Sequence, residues 1–171
     1  RMCVLRQART VNAARDYKQG TITSAWLREL AKLSTFDEGP KLAREYLARH
    51  GITLVIEKHF KRTFLDGAAM LDNDRPIVAL TLRHDRFDNF WFALLHELVH
   101  VAKHLTPESP VFIDDLDRSN PQVVEAEADA MAGEALIPEK TWRTAKVRTT
   151  LLSEDAIAFA DEIGVHPAIV A

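Results

Sequence analysis

His96-Glu97-Leu98-Val99-His100 constrains this chain more than any other feature, because it sets two imidazoles and a carboxylate inside an otherwise apolar run from Phe90 to Ala102. Residues four apart on a helix lie on one face, so His96 and His100 can converge on one metal ion. The glutamate between them then projects beside the ion's open position, where a carboxylate can take a proton from water. Without such a task the burial of these polar groups would be costly, since each loses its hydration. The expectation is a buried helix that carries a metal ion and a base.

Two histidines and a water leave a tetrahedral ion one ligand short. The next strongly helical segment, from Pro121 to Leu136 and closed by Pro138, offers candidates. Val124, Ala128, Met131, Ala132 and Ala135 form an apolar stripe at helical spacing, and the alanines permit close approach to a neighbour. Glu125 and Asp129 are four apart on one face, whereas Glu127 points away from both. This spacing favours Glu125 over Glu127 as the third ligand. Asp129 is then expected to hold a ligand histidine by its other ring nitrogen. His104 is not expected to be a ligand. It lies a rise of about 12 Å beyond His96 on a straight helix, and zinc ligands sit within about 2.1 Å of the metal. No glycine breaks the helix before it, since Lys103 stands there, and Thr106 occupies the place of a third histidine. His104 reads as a helix-end residue or part of a cleft wall.

The 171 residues, 47% of them hydrophobic, can bury one full core, so one domain with at most a short extension is expected. A net charge of −3 gives no global basic footprint for nucleic acid. The single Cys3 excludes an internal disulfide framework and a cysteine-rich zinc finger, and it fits a reducing cytoplasm. His96, Glu97 and His100 interrupt the longest apolar run, so it is not read as a membrane span. No signal-peptide pattern is visible.

Residues 1–22 are polar and basic, with Arg1, Arg6, Arg9, Arg15 and Lys18, and read as a linker or helix entering the domain. A solvated face explains their charge better than nucleic-acid contact. Thr23 or Ser24 caps a helix carrying Trp26, Leu27, Leu30 and Leu33, and a second helix from about Pro40 stops at Gly51. Ile52 to Lys58, Leu65 to Leu71 and Pro76 to Leu82 read as strands, the last two joined in an antiparallel hairpin by the turn Asp72-Asn73-Asp74. Asp66 to Met70 has small side chains. It fits either an edge strand that binds an extended peptide or a strand packed tightly on the metal helix. Asp88 is expected to cap the metal helix. Thr106 to Asn120 reads as a cleft-rim loop: Asp114, Asp115 and Asp117 lack the glycine and closing glutamate of a calcium loop. Ser153 is expected to cap a helix through Ile163, with a further segment from Gly164. The sum is an α+β domain over residues 23–171, with its active-site helices packed on a small three-stranded sheet.

These residues resemble the ImmA/IrrE family of metallopeptidases. His96 to His104 reads HELVHVAKH, and Glu125-x-Glu127-Ala128-Asp129-x-Met131-Ala132, followed by Leu136-Ile137-Pro138, is similar to that family's second motif. Met131 replaces a usual aromatic and Val99 a common glycine. The flanks at Leu65 to Ala69, Leu80 to Phe92 and Gly164 to Val170 resemble the long HigA-type antitoxins, in which an XRE-type helix-turn-helix regulator is fused to such a domain. The likeness covers most of residues 24–171. It implies a zincin-like fold of the minimal thermolysin-like (gluzincin) kind. It also implies Zn2+ held by His96, His100 and Glu125, with Glu97 as the general base. A DNA-binding domain would precede residues 1–22, because no helix-turn-helix is visible in residues 1–50.

The implied activity is that of a cytoplasmic zinc endopeptidase domain in a bacterial transcriptional regulator or antitoxin. Its substrate would be a regulatory protein, such as a repressor or toxin, with no membrane partner and with homodimers compatible. The alternative is a non-catalytic sensing or binding domain of such a regulator. An intact Glu97 counts against that alternative, because a purely structural metal has no use for a base. The donor to the tetrahedral oxyanion is left open among His84, His104, Tyr46 and Arg83.

Overall fold

Thr23 is extended, and its hydroxyl accepts a hydrogen bond from the Trp26 amide at 3.2 Å, which starts helix α1 (Ser24–Lys32). The computed structural model describes residues 16–57, 67–81, 86–113, 121–150 and 152–171. One 3-10 turn (Leu33–Thr35) leads into α2 (Gly39–Arg49), after which Gly51 takes the left-handed conformation (φ +79°) that ends a helix readily only at glycine. Leu27, Leu30, Ala31, Ala43 and Leu47 are buried from these two helices.

The expected strands are β1 (Thr53–Glu57), β2 (Gly67–Asp72) and β3 (Arg75–Thr81). β2 and β3 pair antiparallel with Asp72 opposite Arg75. Asn73 and Asp74 turn the chain with φ of 50° and 63°, the left-handed pair that a two-residue hairpin requires and that Asn and Asp tolerate. β1 runs parallel to β3. A fourth strand, β4 (Val111–Ile113), falls within the segment read as loop and pairs with Ala68–Met70, giving the order β1-β3-β2-β4. The small-residue strand β2 is therefore internal at those positions, and β4 forms the edge. Side chains alternate across the sheet. Leu54, Ala69, Val78 and Leu80 join the main core, while Val55, Ala68, Met70 and Ile77 form a smaller cluster on the other face.

Helix α3 (Phe87–Lys103) packs on β2 and β3, and α4 (Pro121–Leu136) packs on both α3 and α1. The remaining helices are α5 (Glu139–Trp142), α6 (Val147–Thr150) and α7 (Ser153–Ile163), followed by a 3-10 turn (Pro167–Ile169). Leu152 rather than Ser153 is the N-cap of α7, and Gly164 ends it at φ +68°. Phe159, Ala160, Ile163 and Val165 build a second cluster, joined to the main core by the half-buried Ile137 and Ile169.

Arg28 of α1 fastens these parts together. Its guanidinium donates to the carbonyls of Ala135 (2.8 Å) and Leu136 (2.9 Å), and also to that of Ile163. One cation thus serves the unpaired carbonyl ends of α4 and α7, where the helix dipoles favour positive charge. Among the described residues, no helix is long and apolar enough to cross a membrane. The basic positions Arg1 to Arg15, the strand ends Lys58, Leu65, Asp66 and Leu82, and the acidic loop residues Asp114, Asp115 and Asp117 lie outside the described residues.

Candidate metal centre

Helix α3 is apolar almost all round, and Trp91, Leu94, Leu95, Leu98 and Val99 are fully buried along it. It starts two residues earlier than a cap at Asp88 allows. Arg86 is the N-cap, and Asp88 sits in the first turn, where the Arg86 guanidinium grips its carboxylate at 2.6 and 3.0 Å. That hydrogen bond, with the neighbouring amide of Asn89, holds the Asp88 carboxyl below its usual range.

Within this helix His96 is 7% exposed, Glu97 3% and His100 0%. Helix α4 brings Glu125 and Asp129 to them by close approach of an alanine face, with Ala128 and Ala132 fully buried. His96 Nε2 lies 3.1 Å from Glu125 Oε2 and 2.9 Å from His100 Nε2, and His100 Nε2 is 3.7 Å from the same Glu125 oxygen. On its outer side, His96 Nδ1 donates to Asp129 Oδ1 at 2.9 Å, since a carboxylate only accepts. The other ring nitrogen, Nε2, faces His100 and Glu125.

Among the described residues, His96, His100 and Glu125 are the group that could hold a metal ion, with one ligand atom from each within 4.8 Å of the others. The donor chemistry fits a cation: two imidazole nitrogens and a carboxylate oxygen turned toward one point, two of the three residues buried. Glu97 stands beside them under strand β2. A Cβ added to Gly67 would lie 2.7 Å from Glu97 Cγ and 2.8 Å from its Cδ, so only glycine leaves room for this carboxylate. Of the two readings of the small-residue strand, tight packing on α3 is the one observed.

His104 and Glu127 are near the centre but face away from it. His104 Nδ1 meets His100 Nδ1 at 2.8 Å, and His104 Nε2 meets Glu127 Oε2 at 3.2 Å. Lys103 Nζ lies 3.4 Å from the other Glu127 oxygen. The bond from His104, then that from Lys103, holds the Glu127 carboxyl below its ordinary range. Of the oxyanion candidates, Tyr46 packs its ring against Trp26 and His50, and its hydroxyl is pushed up by burial. Arg83 and His84 lie outside the described residues. A cavity of about 680 Å³ opens next to Asp129, lined by Phe92, Gly133, Glu134, Ile137 and Trp142 among others.

The family model of the Peptidase M78 group, described as the IrrE N-terminal-like domain, matches residues 47–171. The chain belongs to this family. No curated protein matches the sequence. The M78 match begins in the last turn of α2 and takes in every residue of the candidate metal centre. Helix α1 precedes it, yet Arg28 and the buried Leu27 and Leu30 make α1 part of the same core.

Sequence reasoning missed Gly67, visible only as one small residue among several. It also missed the pairing of His104 with Glu127, although His104 stands four residues after His100 and so on the same helix face.

Proposed function

We propose that this M78 domain is a zinc-dependent endopeptidase serving a bacterial transcriptional regulator or antitoxin. It would cleave a regulatory protein such as a repressor or toxin in the cytoplasm. In this reading residues 23–171 are the peptidase unit, and residues 1–22 lead from a DNA-binding domain. The observation that carries it is the meeting of His96, His100 and Glu125 with the buried Glu97 alongside.

His96, His100 and Glu125 would hold the zinc, and Asp129 would fix the His96 ring through Nδ1. Zinc in such a site lowers the pKa of water to about 7 and polarises a carbonyl. Glu97, confined beneath Gly67, takes one proton from the attacking water. The hydroxyl joins the scissile carbonyl carbon and the C–N bond breaks. The amine leaves with the proton that Glu97 returns to its nitrogen. The products are one free carboxyl and one free amino terminus.

The test pairs zinc content by elemental mass spectrometry with cleavage of a proteome-derived peptide library, for wild type and Glu97→Gln. About one zinc per chain is expected in both, with cleavage reduced in the variant by about 10²–10⁴-fold. A zinc-loaded wild type that cleaves nothing, or a variant that cleaves as well as wild type, would replace this reading with a sensing domain.

A further inference from the structure

Each of the two histidines in the metal centre has a partner on its outer ring nitrogen, and the two partners differ. For His96 it is a carboxylate, Asp129, at 2.9 Å. For His100 it is another imidazole, His104 Nδ1 at 2.8 Å, whose far nitrogen reaches the Glu127 carboxylate at 3.2 Å. We infer that His104 and Glu127 form a positioning relay that orients His100 for metal binding, as Asp129 does for His96. This rests on the reading of His96, His100 and Glu125 as the zinc ligands.

Proton bookkeeping along the chain allows one assignment. A metal on His100 Nε2 takes that nitrogen's lone pair, so the His100 proton is on Nδ1 and donates outward. His104 Nδ1 must then accept, which puts the His104 proton on Nε2. That proton donates to Glu127, an acceptor when ionised. Every nitrogen and the carboxylate oxygen are satisfied with both imidazoles neutral. The donation from His100 fixes its ring and raises the basicity of Nε2, as a direct carboxylate would.

Burial suits the division of labour. His100 is fully buried, the His104 side chain is 9% exposed and that of Glu127 is 44% exposed. A carboxylate placed directly against His100 would have to be dehydrated at considerable cost. The interposed imidazole carries the contact outward, so Glu127 keeps much of its hydration. Lys103, at 3.4 Å, helps to keep that carboxylate in place.

Zinc affinity measured by competition with a chromophoric chelator tests the relay without relying on turnover. His104→Ala should weaken zinc binding by about 10–100-fold, and Glu127→Gln should weaken it less but in the same direction. The double variant should bind no more weakly than His104→Ala, because Glu127 acts only through His104. His104→Gln, whose amide oxygen can accept from His100, should recover part of the loss. Wild-type affinity in both single variants, or additive losses in the double, would overturn the relay. If far-UV circular dichroism shows His104→Ala unfolded, the exposed Glu127→Gln variant decides alone. A wild type that binds no zinc would remove the metal-site reading and the relay together; unaffected variants of a zinc-binding wild type would remove the relay only.

Discussion

Helix α3 is buried on nearly every side, whereas α4 presents an alanine face to it and leaves its carboxylates at the border with solvent. From Phe90 to Val101, α3 contributes ten buried residues, His96, Glu97 and His100 among them. On α4, Ala128 and Ala132 are fully buried, but the side chains of Glu125, Glu127 and Asp129 are 25%, 44% and 58% exposed. The difference follows the cost of dehydration. A neutral imidazole can be buried when both ring nitrogens are engaged, while an ionised carboxylate loses far more hydration. The two imidazoles of the candidate site sit on the buried helix and its carboxylate, Glu125, on the helix at the rim, while Glu97 is the one carboxylate buried on α3. Alanine lets that rim helix lie close enough for Glu125 to reach both histidines.

The largest expected contrast between the two helices is in volume. Trp91→Ala on α3 should cost about 3–5 kcal/mol in urea unfolding, against a change within about 0.5 kcal/mol for Val123→Ala on α4. Val123 is 61% exposed and Trp91 fully buried. Equal costs would erase the distinction. Next comes the alanine face: Ala132→Leu should cost about 1–3 kcal/mol and lower the zinc content by moving Glu125 away from the histidines. Undiminished zinc content would show that close helix approach is not what places the ligand.

Gly67→Ala sharpens the comparison from the other side of α3. The atoms nearest the added methyl all belong to Glu97, so turnover should fall by about 10²-fold with zinc content unchanged. A simultaneous loss of zinc would mean that the strand holds the whole centre, not Glu97 alone.

The smallest effect concerns the first turn of α3. Asp88 favours the positive end of the helix dipole and has a depressed pKa, so its stabilising contribution is present above the ordinary carboxylate value near 3.9 and is lost as pH falls through its lower folded value. Asp88→Asn should therefore be less stable than wild type at pH 7, by about 0.3–1 kcal/mol. Thermal unfolding across pH should show that gap closing only below about pH 4. A gap that grows with acid would reverse the sign and exclude this role.

The elements most legible in the sequence are those governed by local geometry. HExxH, the four-residue step from Glu125 to Asp129, the Thr23 cap and the Asn73-Asp74 turn each depend on a few consecutive residues, so their spacing carries the information. Strand β4 was not legible, because three residues without a turn signal become a strand only when Ala68–Met70 offer an edge to pair with. The caps of α3 and α7 shifted by one or two positions because several polar residues cluster at each start, and the neighbouring packing selects among them.

The sequence by itself determined which side chains share a helix face, and hence that two histidines and Glu125 could meet around one ion with Asp129 behind a histidine. Helical periodicity is a local property, and it needs no knowledge of what lies across the core. Only the tertiary structure decided that Gly67 lies over Glu97, that Arg28 closes the ends of two helices, and that Glu127 turns from the candidate metal site to His104. Those contacts join segments more than twenty residues apart, and their geometry is set by how helices and sheet pack rather than by the spacing within either partner.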